Sequence, residues 1–432
     1  MVISSTQRSA WQTVSTHTPA PDESFVEILT GEAQQSVRGF GGCFSELGAL
    51  ALQELSECDR RAVNDLLFSK EGCAFNFCRL PIGANDFAKS WYSYDETPGD
   101  LSLEHFSIKR DCELIIPWVK QAQTYCPQMQ FMASPWSPPT WMKSPAVYNY
   151  GTLIWSKDIR KCYAEYLRCY VESYQQKGIP ITQLHLQNEP ISSQKFPSCV
   201  WSGERMRDFI RDDLAPAIGD KTDLWLGTLN GPASDERAPW TRFNNYAHTV
   251  LQDKKCRKIV KGIGYQWGGK LAIQQTHDSY PELELIQTES ECGNGANSWE
   301  YAMYVYELIH HYFRNGASAY LYWNMVLDAN AESTWGWKQN SLITVCSNSY
   351  RLNPELYLIW HFAHFVQRGA VHLKSCGEWA ANTTAFQNPD GSLAIVVMNP
   401  FDSPQTVRFQ NKYYTLPARS FSTLTGPPLT GR

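Results

Sequence analysis

The stretch SKDIRKCYAEYLRCYVESYQQKGIPITQLHLQNEP, from Ser156 to Pro190, carries the periods of two different elements. In its first part Ile159, Cys162, Tyr163, Tyr166, Cys169 and Tyr170 recur on one helical face, until Gly178 stops the pattern. Its last part, ITQLHLQNEP, is a short apolar run ending in polar residues, the reading of a strand buried on both faces. The same unit recurs on either side. Strand-like runs begin at VRGFGGCFS (Val37 to Ser45), FNFCRLPIG (Phe75 to Gly83) and MQFMASPW (Met129 to Trp136). Beyond Pro190 come LWLGTLN (Leu224 to Asn230), VKGIGYQWG (Val260 to Gly268), LELIQTESECG (Leu283 to Gly293) and AYLYWNMVLD (Ala319 to Asp328). Helical stretches such as WEYAMYVYELIHHYFRNG separate them. Eight β–α units match the arithmetic of a TIM (β/α)8 barrel, with a doubly wound open sheet as the competing topology.

After Arg351 the pattern changes to alternation. HFVQRGAVHLKSCG, NTTAFQNPDGSLAIVVMNP, QTVRFQNKYYTLP and RSFSTLTG alternate apolar and polar residues, and Asn388-Pro389-Asp390-Gly391 is a turn between two strands. This predicts an antiparallel β-sandwich. FVEILTG (Phe25 to Gly31) also reads as strand, and because an isolated hairpin is marginal in water it is expected to join the C-terminal sheet. The α/β fold expected is therefore a barrel over residues 36–352 with an attached sandwich from both termini, residues 1–35 plus 353–432.

Composition narrows the function. Of 432 residues, 43% are hydrophobic and 19% charged, enough to build a packed core. The 38 Lys and Arg against 43 Asp and Glu leave a net charge of -5 and no basic run, which argues against a nucleic-acid partner. The longest aliphatic stretch, Leu393 to Met398, is far short of the roughly 20 residues of a spanning helix. The N-terminal residues do not read as a signal peptide, and 13 scattered cysteines without zinc-ribbon spacing suit reduced thiols, so a cytoplasmic location is expected, a lost leader apart. His361-x-x-His364 lacks a third ligand, Gly39, Gly41 and Gly42 suit close backbone packing, and no phosphate-binding glycine loop is present. Neither a metal nor an organic cofactor is expected. Sixteen Trp and 22 Tyr are an excess, and flat stacking surfaces are one use for it.

Barrel active sites lie at the C-terminal ends of the strands. There the second run presents Arg79 and then Asn85-Asp86, the third Trp136, and the fourth Asn188-Glu189-Pro190. The seventh presents Glu289 and Glu291, and the eighth Trp323-Asn324. Carboxylates on opposite sides of a rim lined with tryptophans and amides suit glycoside hydrolysis. Trp faces stack on a sugar, one protonated carboxyl serves the leaving oxygen, and one ionised carboxylate attacks the anomeric carbon. Glu289 and Glu291 are two apart and share a strand face, so periodicity does not choose between them.

GFGGCFSE, FNFCRLPIGANDF, SPWSPPTWMK, QNEP and TESECG together resemble glycoside hydrolase family 30, the family of glucosylceramidase, over most of the chain. The resemblance implies a TIM barrel with a side β-sandwich and a retaining β-glycosidase acting on β-glucosides. It implies Glu189 as general acid/base and Glu289, in Thr288-Glu289-Ser290, as nucleophile. Asn188 would bond the sugar 2-hydroxyl and Arg79 would keep Glu289 ionised. Asp86, Trp136 and Trp323 match sugar-binding positions, as does Asn340 in WGWKQN. The sequence departs from that pattern after the sixth strand, where Gln266 and Gly268 stand in place of a His and a Tyr. Other specificities therefore stay open: endo-β-1,6-glucanase, β-xylosidase or β-fucosidase, and, in another class, a catalytically silent carbohydrate-binding protein.

Overall fold

The computed structural model describes residues 1–231 and 245–427. Eight strands close into a parallel barrel: Gly39–Cys43, Phe77–Ile82, Gln130–Pro135, Ile181–His185, Asp223–Leu229, Gly262–Gln266, Glu284–Glu289 and Ala317–Asn324. Each of the eight runs read from the sequence supplies one of them, in order. Closure pairs the eighth strand with the first, Tyr320 opposite Phe40 and Leu321 opposite Gly41. The open doubly wound sheet is excluded by that pairing.

The barrel interior is a small apolar cluster of Phe77, Met132, Trp225, Ile286, Ala319 and Leu321, all from strands. Side chains alternate along a strand, so Arg79 follows Phe77 to the inside, Trp136 follows Met132, and Trp323 follows Leu321. Glycine at position 41 makes room for the first two strands to meet. A Cβ there would lie 1.9 Å from the Phe77 carbonyl oxygen. The outer face of each strand packs under helices. The helix Lys157–Gln176 is capped by the Ser156 side chain, which accepts from Ile159 N–H, and it buries Cys162, Tyr163, Tyr166, Tyr170 and Tyr174. The helix Pro354–Ala363 follows the eighth strand and packs between the first barrel strand, the helix Trp299–Arg314 and the last strand of the side sheet.

The side domain holds a seven-stranded and a four-stranded sheet. The strand Val2–Thr6 pairs antiparallel with Ser420–Gly426, and Leu29–Ser36 pairs antiparallel with Val371–Cys376. The expected docking of N-terminal strands on the C-terminal sheet is thus present, with its own core of Val2, Ile28, Ile395, Val397 and Leu416 among others. His361 is buried at this junction, its two ring nitrogens at 2.8 Å from Thr423 Oγ1 and 3.0 Å from Ser5 Oγ. His364 Nδ1 instead meets the Gly72 carbonyl at 2.9 Å. All 13 cysteines are free thiols. Among the described residues, no helix is long and apolar enough to cross a membrane.

Gly41→Ala is expected to cost about 3 kcal/mol or to abolish folding, because the new methyl meets backbone and not a flexible side chain. Denaturant unfolding of the variant checks this; an unchanged midpoint would mean that the two strands do not approach as described.

Candidate active site

Arg79 stands at the centre of the barrel mouth, fully buried. Its guanidinium lies 4.5 Å from the ring centre of Trp136 and 5.3 Å from that of Trp323. One terminal nitrogen donates to Glu289 Oε2 in a tight ion pair. The other donates to Asn188 Oδ1 at 2.6 Å and to Ser134 Oγ at 2.9 Å. A rigid five-donor fork on strand two can serve strands three, four and seven at once, which a lysine could not. Gln266 completes the set: its Nε2 lies 2.6 Å from Asn188 Oδ1, 3.2 Å from Thr228 Oγ1 and 3.0 Å from Glu289 Oε2.

Two local irregularities aim the carboxylates. Strict alternation from Ile286 would send Thr288, not Glu289, to the inside. Between strands six and seven the register slips by one residue, so that Tyr265 faces Gln287 while Gln266 faces Glu289. A bulge of this kind re-aims the side chain that follows it. At the fourth strand Glu189 has φ +47, the left-handed region that a non-glycine residue seldom occupies. Neighbours hold it there: Glu189 N–H donates to the Thr228 carbonyl at 3.1 Å, and its own carbonyl accepts from Ser192 N–H at 2.9 Å. Asn188 N–H donates to the Pro135 carbonyl at 2.7 Å. Strain at such a site persists only where the surroundings over-determine it.

Glu189 and Glu289 line one cavity of about 520 Å3, together with Asp86, Trp136, Asn188 and Trp323. Of the residues singled out from the sequence, these six meet at its wall, while Arg79 and Gln266 stand directly behind it, bonded to Glu289. Asn340 does not reach the cavity, which corrects the expectation that it binds substrate. Its carbonyl accepts from Gly295 N–H at 2.9 Å and Asn297 N–H at 3.1 Å, and its amide donates to buried Glu355 at 2.6 Å. It holds the loop beneath Cys292 and Gly293, which do line the cavity. Glu291 also reaches the rim, but its partner is the Tyr304 hydroxyl at 2.5 Å, and Arg79 contacts Glu289 alone of the two.

Sequence reading missed several neighbours. Thr228, at the end of the fifth strand, lies 3.1 Å from Asn188 Oδ1, and Ser192 hydrogen-bonds to Glu189. Thr228 was open to discovery by the same strand-end inventory. Phe196, Trp267, Trp335 and Trp337 form the outer wall. Trp335 lies 6.0 Å from Phe196 and 5.4 Å from Trp337, ring centre to ring centre. Except for Trp267, these sit in long connections with no periodic signal.

The two carboxyls have opposite surroundings. Burial raises the pKa of Glu189, and the nearby carboxyls of Glu289 and Asp86 raise it further. Burial also raises Glu289, but there the Arg79 charge and hydrogen bond act against it. Asp86 is pushed up to about 8 by burial and then by Glu289. The arrangement suits one carboxyl that keeps its proton and one that gives it up, which is the requirement of acid-assisted displacement at a sugar carbon.

A closed parallel barrel with such a pair beneath a tryptophan-lined mouth defines a barrel glycoside hydrolase. Residues 37–366 match the model of the glycosyl hydrolase family 30 TIM-barrel domain, and residues 369–424 that of the family 30 beta sandwich domain. The chain belongs to glycosyl hydrolase family 30. It is 30% identical to putative glucosylceramidase 1 of Caenorhabditis elegans, over 92% of this chain and 82% of that protein. It is 26% identical to an endo-1,6-beta-D-glucanase of Neurospora crassa, over 88% of this chain and 82% of that one. The crystal structure of SrfJ from Salmonella typhimurium superimposes with a TM-score of 0.84 at 25% identity, covering 99% of both chains.

Arg79→Lys is expected to lower kcat/KM about a hundredfold. Arg79 pulls the Glu289 pKa down, so weakening that pull raises it and moves the acid limb of the pH–kcat/KM profile to higher pH. A profile that falls in height without moving would assign Arg79 a purely structural part.

Proposed function

We propose that the protein is a retaining β-glucosidase in which Glu189 is the general acid/base and Glu289 the nucleophile. The single observation that carries this is the asymmetry at the two carboxyls: a guanidinium grips Glu289, whereas Glu189 faces carboxyls. Glu289 attacks the anomeric carbon while Glu189 protonates the departing oxygen, giving a glycosyl ester on Glu289. That ester is neutral, so one of the charges that raised the Glu189 pKa disappears. Glu189 then surrenders its proton more easily and acts as base toward the water that cleaves the ester. Asn188, held through Oδ1 by Arg79 and Gln266, has its Nδ2 left to donate to the sugar. Asp86, Trp136 and Trp323 complete the glycone site.

One feature favours a sugar on the leaving-group side over a ceramide. A Cβ at Gly268 would lie 2.2 Å from the Asn230 carbonyl oxygen, so the backbone leaves no room for the aromatic side chain of the glucosylceramidase pattern. In its place the aromatic wall is supplied by Trp335, Trp337 and Phe196 from two loops. Such a rim stacks on pyranose rings, and β-1,6-linked gluco-oligosaccharides are the second reading.

Glu189→Ala assayed on an activated aryl β-glucoside is expected to accumulate glycosyl-enzyme and to be rescued by azide with formation of the β-glycosyl azide. Full activity of this variant on an unactivated substrate would remove Glu189 from the chemistry. A 2-fluoro glucoside is expected to label Glu289, and a label on Glu291 would make that residue the nucleophile instead. Product analysis separates the specificities: release of single glucose units from the non-reducing end supports the first reading, cleavage within β-1,6-gluco-oligosaccharides the second, and efficient ceramide release from glucosylceramide would overturn the preference for a sugar leaving group.

A further inference from the structure

A separate cavity of about 170 Å3 opens where the barrel meets the side sheet, sharing no lining residue with the candidate active site. His310 and Arg314 reach it from the helix Trp299–Arg314. His372, Lys374 and Ser375 reach it from the strand Val371–Cys376, and Thr383 from the start of the next strand. Four of its lining side chains are basic, and Glu32, an exposed residue of the N-terminal strand Leu29–Ser36, is its one acidic group.

The polar atoms around this cavity are conspicuously short of partners. His310 Nε2, His372 Nδ1, Ser375 Oγ and Thr383 Oγ1 are all buried, and none makes a hydrogen bond among the described residues. His372 is 5% exposed and Thr383 2%. Buried polar atoms are nearly always paired in folded proteins, so four orphans around one small space point to something that occupies it. The other nitrogen of His310, Nδ1, lies 3.1 Å from the Thr384 hydroxyl. Which ring nitrogen carries the proton depends on the tautomer, and once the ring is protonated both nitrogens are donors, Nε2 toward the cavity. The two hydroxyls rotate to donate, and Arg314 and Lys374 are donors only. Exposed Arg314 and Lys374 against Glu32 leave one net positive charge at the mouth, which favours an anion over water alone.

We propose that this seam cavity binds a small tetrahedral oxyanion, as the free ion or as the phosphate of a monoester. His310, His372, Ser375 and Thr383 bond its oxygens from the floor, and Arg314 and Lys374 close over it from the mouth. The bound anion ties a barrel helix to two strands of the side sheet.

The site also has a built-in pH dependence. His310 and His372 are each pushed down to about 4, first by burial. At His310 the Arg314 charge and then His311 add to this, against a backbone hydrogen bond to Thr383 that raises it; at His372 it is His310 and then Arg314. The remaining charged groups facing the cavity are Lys374 and Glu32. A bound anion opposes both causes and raises both ring pKa values, so binding takes up protons and tightens as pH falls. Sulfate keeps its charge between pH 5.5 and 7.5, so its affinity reports the histidines and not its own titration.

The test is a titration of sulfate into the full chain at constant ionic strength, followed by the ring signals of the histidines in long-range proton–nitrogen spectra. His310 and His372 are expected to shift together with one Kd, which falls at least threefold from pH 7.5 to 5.5. Arg314→Ala with Lys374→Ala should weaken that Kd tenfold or more; if the double variant does not fold, the wild-type ring signals decide alone. Glycerol 1-phosphate binding more tightly than inorganic phosphate assigns the monoester, and the reverse assigns the free ion. Rings that stay still, or that respond equally to chloride at matched ionic strength, would overturn the proposal and leave a water-filled seam.

Discussion

A buried guanidinium organises the mouth of this barrel. Arg79 has no exposure to solvent, and removing an arginine from water is costly unless every donor finds an acceptor and the charge a counter-charge. Glu289 supplies the counter-charge, and Ser134 and Asn188 accept most of the remaining hydrogen bonds. Trp136 and Trp323 cover its faces. These partners come from the ends of four different strands, so the barrel must close in its observed register for the arginine to be tolerated at all. Fold and site are therefore one constraint.

The same residue sets the electrostatic contrast on which the proposed chemistry rests. Two carboxyls in one cavity both tend to hold protons, because burial disfavours charge. A cation bonded to only one of them separates their behaviour. Asp86 deepens the contrast from the other side, since it adds to the proton affinity of Glu189 without any arginine of its own. Gln266 then links Glu289 to Asn188, so the proposed nucleophile and the proposed sugar-binding amide share one hydrogen-bond network.

Much of this was legible from residue patterns. A continuously apolar run of five to eight residues ending in polar groups signals a strand buried on both faces, and all eight such runs became barrel strands. Arg79, Trp136 and Trp323 follow by alternation from interior residues, so strand-end inventory alone places them near one another. Asn340 misled, since proximity in a motif says nothing about which side of a loop an amide faces; here its bonds to Gly295, Asn297 and Glu355 consume it. The aromatic wall of Phe196, Trp335 and Trp337 was invisible because loop residues carry no period.

The chain by itself thus determined the class of fold, the β–α repeat, the docking of both termini in one sheet domain and the residue types at the strand ends, because these depend on local periodicity and turn chemistry. Only the tertiary structure gives Glu289 and Glu291, which a strand period would place on one face, different partners: Arg79 for the first and Tyr304 for the second. A one-residue slip against the sixth strand turns Glu289 toward Arg79, and a left-handed backbone at Glu189 is held by its hydrogen bond to Thr228 of the neighbouring fifth strand. Register and strain of this kind are imposed by adjacent strands, and no local pattern encodes them.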